Sequence, residues 1–283
     1  MRRKGITQEE LKLLACVSML LDHIGSVFLS GSGLRIIGRI AFPVYCFLLC
    51  EGISHTRHPM RYGLRLIVAA LLAELPYDYL FYGGINWAHQ SVMLTLLLGF
   101  AMAMCWKKTG HFLVPFLACF CAAEWLHTDY GGWGIALIAL FLLTQNAPGR
   151  WKYQLLGMAL IFFGMNSYRV NLLGIRIPIQ LFGLLSLVPI QLYSGEKSTQ
   201  SRWVQLAFYL FYPVHLALLL MLKIRWGDNM KDILFRTEEY VFSYRVAGIC
   251  VHNGHLLLQK PVNDRAYAIP GGHVALGEQI PRP

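Results

Sequence analysis

The sequence predicts an all-α polytopic membrane bundle of about nine helices, followed by a short β-type unit. Three observations lead there. Apolar windows recur from Leu11 to Leu222, and a spanning helix needs about 20 mostly apolar residues. The 283 residues are 56% hydrophobic and only 14% charged, whereas soluble domains run at about 45–50% and about 25%. After Arg225 the long apolar runs stop.

Taken in order, the expected spans are 11–29, 34–53, 64–82, 91–106, 111–127, 132–145, 153–166, 177–193 and 204–223, the sixth and seventh being short. Thr7-Gln8-Glu9-Glu10 forms a T-x-x-E capping box in front of the first. The small residues Ser30-Gly31-Ser32-Gly33 then turn the chain tightly. Reflection about that turn brings Arg39 to the depth of His23, within about one 5.4 Å helical turn. The same reflection sets Lys12 level with Glu51. Glu74 and Asp78 share a helix face by their i, i+4 spacing, with Pro76 between them freeing a backbone carbonyl. Tyr209, Tyr212 and His215 make a polar stripe beside Pro213 in the last span. Two domains follow, 1–225 in the membrane and 230–283 outside it. In the second, strands Arg245–Val251 and His255–Lys260 flank Asn253-Gly254, a strong hairpin signal.

The net charge of +10 does not point to nucleic acid. Arg2, Arg3 and Lys4, then Arg57 and Arg61, Lys107 and Lys108, Arg150 and Lys152, and Lys197 and Arg202 fall in alternate loops, while 30–33, 81–90 and 128–131 carry no Lys or Arg. That is a topology signal with a cytoplasmic N-terminus. Arg169 and Arg176 break it, as do Lys223 and Arg225. The first apolar run is long and lacks an A-x-A site, which favours a retained span over a cleaved signal. The seven cysteines show no C-x-x-C spacing and no disulfide framework, and no metal site is expected.

Asp22 and His23 lie inside the first span. An intramembrane charge costs roughly 2.5–3.5 kcal/mol on insertion scales, so such residues are partnered or functional. Arg39, Glu51, Glu74, Asp78, Glu124 and His215 sit in or at the edges of other apolar segments. Together they imply a polar pocket within the membrane.

Six stretches carry a family resemblance: LKLLACVSMLLDHIG (11–25), LRIIGRIAFPVYCFLLCEGISHTR (34–57), YGLRLIVAALLAELPYDYLF (62–81), SVMLTLLLGF (91–100), LHTDYGGWGIALIALF (126–141) and FYPVHLALL (211–219). They resemble the TraX family, bacterial inner-membrane proteins named for a conjugative pilin N-acetyltransferase and similar to wider membrane acyltransferases. The resemblance implies acetyl transfer from cytoplasmic acetyl-CoA to an amine or hydroxyl of an envelope or membrane acceptor, whether a protein N-terminus, a glycan or a lipid. Acyl transfer needs a base or acyl carrier and an oxyanion donor. His23 is the first choice for base or carrier. Asp22 is a neighbour in sequence and points about 100° away, so it pairs with Arg39 or with another span. Arg39 meets Asp22, the oxyanion or a CoA phosphate. His55, Arg57, Arg61 and Arg65 are placed to take those phosphates. Glu51, Glu74, Asp78 and Glu124 are acids for the acceptor, with Tyr212 and His215 lining the same cavity. Helix pairing and topology are the competing uses of all these residues.

The tail has a different likeness. VAGICVHNGHLLLQKPVNDRAYAIPGGHVALGE (246–278) resembles the start of a Nudix hydrolase, Gly272 and Glu278 matching the opening G-x5-E of its box. The R-E-x-x-E-E that should follow does not occur before Pro283, so hydrolase activity is not expected and the piece reads as a truncated or joined frame. Two alternatives to an acyltransferase stand beside it: a transporter or permease, since midplane charges and Pro-broken helices also describe carriers, and a non-catalytic assembly factor with charges buried at a partner interface.

Overall fold

A computed structural model of the chain describes residues 5–29, 33–165, 167–172, 174–196 and 201–227, together with strand pieces at 234–236, 241–243, 245–247, 251–252, 255–256 and 271–273 and residue 258. It divides into two compact units, Met1–Met221 and Leu222–Pro283.

The first unit is mostly helical. Helix α1 (Gln8–Val27) starts at the expected box: the Thr7 hydroxyl accepts the Glu10 N–H at 3.4 Å, and Glu10 Oε2 accepts the Thr7 N–H at 2.8 Å. Helix α2 (Gly33–Gly38) and α3 (Ala41–His55) occupy the second expected span, with a break at Arg39-Ile40. Pro43 has no N–H to offer the Arg39 carbonyl four residues earlier, so the ladder is interrupted there. Helix α4 (Pro59–Tyr82) opens on a proline in its first turn and runs through Pro76. There follow α5 (Val92–Thr109), α6 (Leu113–Trp125), α7 (Gly131–Thr144) and α8 (Arg150–Gly164).

The eighth expected span, 177–193, is not one continuous α-helix. Strands β1 (Arg169–Leu172) and β2 (Ile175–Pro178) form an antiparallel hairpin, after which a 3₁₀ stretch (Ile179–Ser186) runs into the short α9 (Leu187–Gln191). Gly174, at φ +85°, supplies the turn. At the rise of such helices, 179–191 extends roughly 24 Å, short of a hydrocarbon core of about 30 Å. Helix α10 (Arg202–Gly227) closes the unit, with Pro213 inside it.

Three helical segments are long and apolar enough to cross a membrane: Gly33–His55, Val92–Thr109 and Trp203–Arg225. Helices α1 and α4 have the length, but Glu9, Glu10, Lys12 and Asp22 in one and Arg61, Arg65, Glu74 and Asp78 in the other lower their hydropathy. Helices α6 and α7 are apolar but short.

Helices α3 and α7 form the centre. Val44, Cys46, Phe47 and Ile53 of α3 and Ile135, Leu137, Ile138 and Phe141 of α7 are buried. A polar ladder joins their ends: Gln145 Nε2 donates to Glu51 Oε1 at 3.1 Å, and Ser54 Oγ donates to Gln145 Oε1 at 2.9 Å. Two ties fix the loops around the core. Ile6 and Gln8 donate to the carbonyls of Leu192 and Glu196, each at 2.9 Å. Gln90 and Thr128 form a parallel bridge, joining the loop before α5 to the loop before α7.

The described residues of the second unit form antiparallel pairs: β3 (Leu234–Arg236) with β4 (Val241–Ser243), β5 (Arg245–Ala247) with β8 (Gly271–His273), and β6 (Val251–His252) with β7 (His255–Leu256). His252 pairs with His255 across the expected Asn253-Gly254 turn, which itself lies outside the described residues.

Candidate functional site

A cavity of about 520 Å³ runs through the first unit. Its walls come from α1, α3, α4, α5, α10 and the loop before α7. Gln8 and Asp22-His23 both line it, so it follows roughly 22 Å of the α1 axis.

At one end, Asp22 is held from two sides. Arg39 Nη2 donates to Asp22 Oδ2, and Arg35 Nε stands 3.8 Å from Oδ1. Arg39 is itself buried and also donates from Nε to the Arg35 carbonyl at 3.2 Å. Gly38 makes this approach possible, because a Cβ there would overlap the Asp22 side chain. The depth match between α1 and the following helix therefore produces a real ion pair. Helix α1 is further pinned where Ser18 Oγ donates to the Ile37 carbonyl at 2.6 Å and Cys16 Sγ lies 3.1 Å from Tyr45 Oη.

His23, the next residue, turns away from that pair. Its Nδ1 lies 2.7 Å from His215 Nε2, with the two rings 4° from parallel. His215 Nδ1 in turn lies 2.7 Å from the Phe211 carbonyl oxygen. A carbonyl only accepts, so His215 Nδ1 carries hydrogen. In the neutral couple His215 Nε2 is then the acceptor, His23 Nδ1 the donor, and His23 Nε2 the nitrogen with a free lone pair. The edges of Phe81 and Tyr212, at centroid distances of 5.6 Å and 6.2 Å, fix the His23 ring.

The same end holds Asp129, which sequence reasoning did not single out. It lines the cavity beside Asp22, His23 and Tyr130. It is an exposed residue that forms part of the cavity wall. Burial raises its carboxyl above the ordinary range; Arg39 opposes the shift and Asp22 adds to it. Its backbone N–H donates to the Gln90 carbonyl at 3.0 Å, so the loop bridge sets its position. The signal was available: an acid beside an apolar helix, inside the quoted stretch 126–141.

The other end is lined by Lys12, Glu51, His55 and Arg65. Lys12 Nζ lies 5.4 Å from the Phe208 ring centre, and the Arg65 guanidinium 5.3 Å from Tyr209 and 5.9 Å from Tyr62. Between the ends the walls are Tyr45, Leu48, Leu49, Leu66 and Leu96.

The remaining sequence-predicted residues lie elsewhere. Glu74 accepts the Ser91 N–H at 3.0 Å and its hydroxyl at 2.8 Å. Asp78 accepts the Asn86 N–H at 3.0 Å, and Glu124 the Gly132 N–H at 2.7 Å. These three carboxylates fasten loops and are not among the lining residues. Arg57 and Arg61 are exposed and also outside the lining. Tyr212 lines the cavity, and His215 reaches it through His23. Among the described residues no group of three or more His, Cys, Asp or Glu is arranged to hold a metal ion.

Comparison with known proteins adds to this geometry. A probable fimbrial assembly protein, FimC of serogroup H1, from Dichelobacter nodosus is 28% identical over 233 residues, covering 76% of this chain and 95% of that protein. An uncharacterised protein of Rickettsia prowazekii is 26% identical over 147 residues, covering 49% of this chain and 56% of that protein. No solved structure matches. Residues 7–223 match the model of the family described as TraX protein, and the chain belongs to that family.

Proposed function

We propose that the chain is a multi-pass enzyme of the bacterial inner membrane, with a cytoplasmic N-terminus. It moves an acetyl group from acetyl-CoA to an amine or hydroxyl of an envelope or membrane acceptor. The observation that carries this reading is the cavity: one long passage leads from a cationic, aromatic mouth to a histidine with a free Nε2 lone pair. The mouth suits the phosphates and base of the donor, and the apolar middle suits its thioester arm. In the reaction, His23 Nε2 takes the acceptor proton as the acceptor heteroatom attacks the thioester carbonyl carbon. The new C–N or C–O bond forms, the C–S bond breaks, and the imidazolium returns the proton to the departing thiolate. Asp22 and Arg39 neutralise one another and hold α1 against α2. We place α1, α2–α3, α4, α5, α6, α7, α8 and α10 in the membrane, with 179–191 entering it part of the way, Lys12, Asp22 and Arg65 facing the cavity and Glu74 and Asp78 its loops.

Purified protein in liposomes is expected to transfer label from acetyl-CoA to an envelope fraction of the same bacterium. Equal transfer by His23→Ala would remove the catalytic assignment. A second reading, a non-catalytic membrane assembly factor, is favoured by the name of the Dichelobacter relative, a probable fimbrial assembly protein. Assembly retained when Asp22, His23 and Arg39 are all changed to alanine would select it.

We further propose that 246–278 is the opening of a Nudix-type fold. Gly272, which opens the matched motif, pairs with Val246 across β5 and β8.

A further inference from the structure

Arg169 and Arg176 contradict the charge pattern of the other loops, and the acyl-transfer reading gives them no work. The β1–β2 register explains their placement. Arg169 pairs with Pro178, Val170 with Ile177 and Asn171 with Arg176. Paired residues share a face and neighbours alternate. Both arginines, with Asn171, therefore stand on one face of the hairpin, and Val170, Ile175 and Ile177 on the other. The arginines and Ile175 are exposed, and neither arginine has an acidic partner among the described residues.

The chain on either side fixes the depth of this two-faced hairpin. Leu156, Leu160 and Phe163 make an exposed apolar stripe up α8, ending six residues before it. Leu185 and Val188 expose a second apolar surface after it. Tyr168, at its base, carries the Arg35 guanidinium 4.8 Å from its ring centre. An aromatic residue followed by arginines, where lipid-facing surface ends, is the composition of a headgroup layer.

We infer that the β1–β2 hairpin lies in the membrane interface and takes the phosphates of anionic phospholipids. Arg169 and Arg176 bind the headgroup, and the Val170–Ile175–Ile177 face enters the glycerol and upper acyl region. Arginine suits this through paired N–H donors to phosphate oxygens. A soluble acidic partner would use the arginine face alone and leave the apolar face in water. This site is independent of the acyl-transfer proposal.

The test uses the full chain in nanodiscs of mixed phosphatidylglycerol and phosphatidylcholine, released for native mass spectrometry. Wild type retains phosphatidylglycerol preferentially. R169Q/R176Q loses that preference by roughly tenfold or more, while R169K/R176K loses less. Ile175→Asp keeps both arginines and still weakens retention, which guards against a variant that merely misfolds. Unchanged phosphatidylglycerol preference in R169Q/R176Q overturns the proposal. So does displacement of the retained lipid by glycerol phosphate or by a soluble acidic peptide, since either would make the site one for free anions.

Discussion

The two ends of the cavity are built from different groups: ion pair and paired imidazoles at one, cations on aromatic rings at the other. At the Asp22–His23 end Asp22, Arg39, His23 and His215 are each held by another side chain or a carbonyl at short range, and Asp129 is not. At the Lys12–Arg65 end Arg65 Nε donates to the Arg61 carbonyl at 3.2 Å, and the long cationic side chains lie over aromatic rings at more than 5 Å. A preorganised end suits bond making, where a small displacement is costly. A cationic end faced with rings suits capture of a long, flexible charged ligand. Substitutions should therefore act on rate at the first end and on affinity at the second.

The largest expected effect is at His23. Removing a positioned general base costs about 10²–10⁴-fold in rate, so His23→Ala should lower kcat by that order and leave KM nearly unchanged, read by labelled acetyl transfer. His215→Ala should fall short of this, because it leaves the base but frees its tautomer; His215→Gln restores an acceptor for His23 Nδ1–H and should recover part of the rate.

Next comes Asp22→Ala, which strands the buried Arg39 guanidinium. Breaking a buried pair by removing one partner costs about 3–5 kcal/mol, measured as a fall in thermal midpoint in detergent. Changing both, as Asp22→Leu with Arg39→Met, should cost clearly less. If it does not, the pair is more than mutual neutralisation. Gly38→Ala should cost about 1–3 kcal/mol through overpacking against Asp22.

How legible these groups were follows from what fixes each one. The Asp22–Arg39 pair was readable because a tight turn equates depths on the two helices it joins, and the rotation happened to agree. The T-x-x-E cap was readable because it is local. The His23–His215 couple joins residues far apart in the chain, and only the packing of α10 on α1 creates it. Glu74, Asp78 and Glu124 show the converse. Sequence reveals an acid beside an apolar run, but not the backbone N–H of Ser91, Asn86 or Gly132 that satisfies it. The segment 177–193 was apolar enough for a span, yet Gly174 and the prolines at 178 and 189 favour a hairpin and short helices.

Asp129 breaks the pattern of its own end, being the carboxylate there without an ion-pair partner among the described residues. Burial favours its protonated form, so the folded state binds a proton more tightly than the unfolded chain does. By linkage, its contribution to stability is greatest at low pH and is lost as pH rises from about 3.8 through the raised value. Asp129→Asn should flatten that part of the stability–pH curve and leave the neutral-pH midpoint equal or higher. If acceptor contact is what keeps the carboxylate there, activity should fall in the same variant.

The smallest effects test the cationic end. Arg65→Gln and Lys12→Gln should each raise the KM for acetyl-CoA by a few fold, as partly screened cation–phosphate contacts of about 1 kcal/mol do, with kcat unchanged. Arg57→Gln and Arg61→Gln carry the same change of charge on the neighbouring surface but lie outside the cavity lining. The four variants thus share a sign and differ in place. If all four raise KM alike, the mouth works by general positive potential and its aromatic partners are incidental. If only the Arg65 and Lys12 variants do, and Tyr209→Leu matches them, the donor is held by a built surface of rings and cations, and the contrast between the two ends is one between positioning a bond and gripping a ligand.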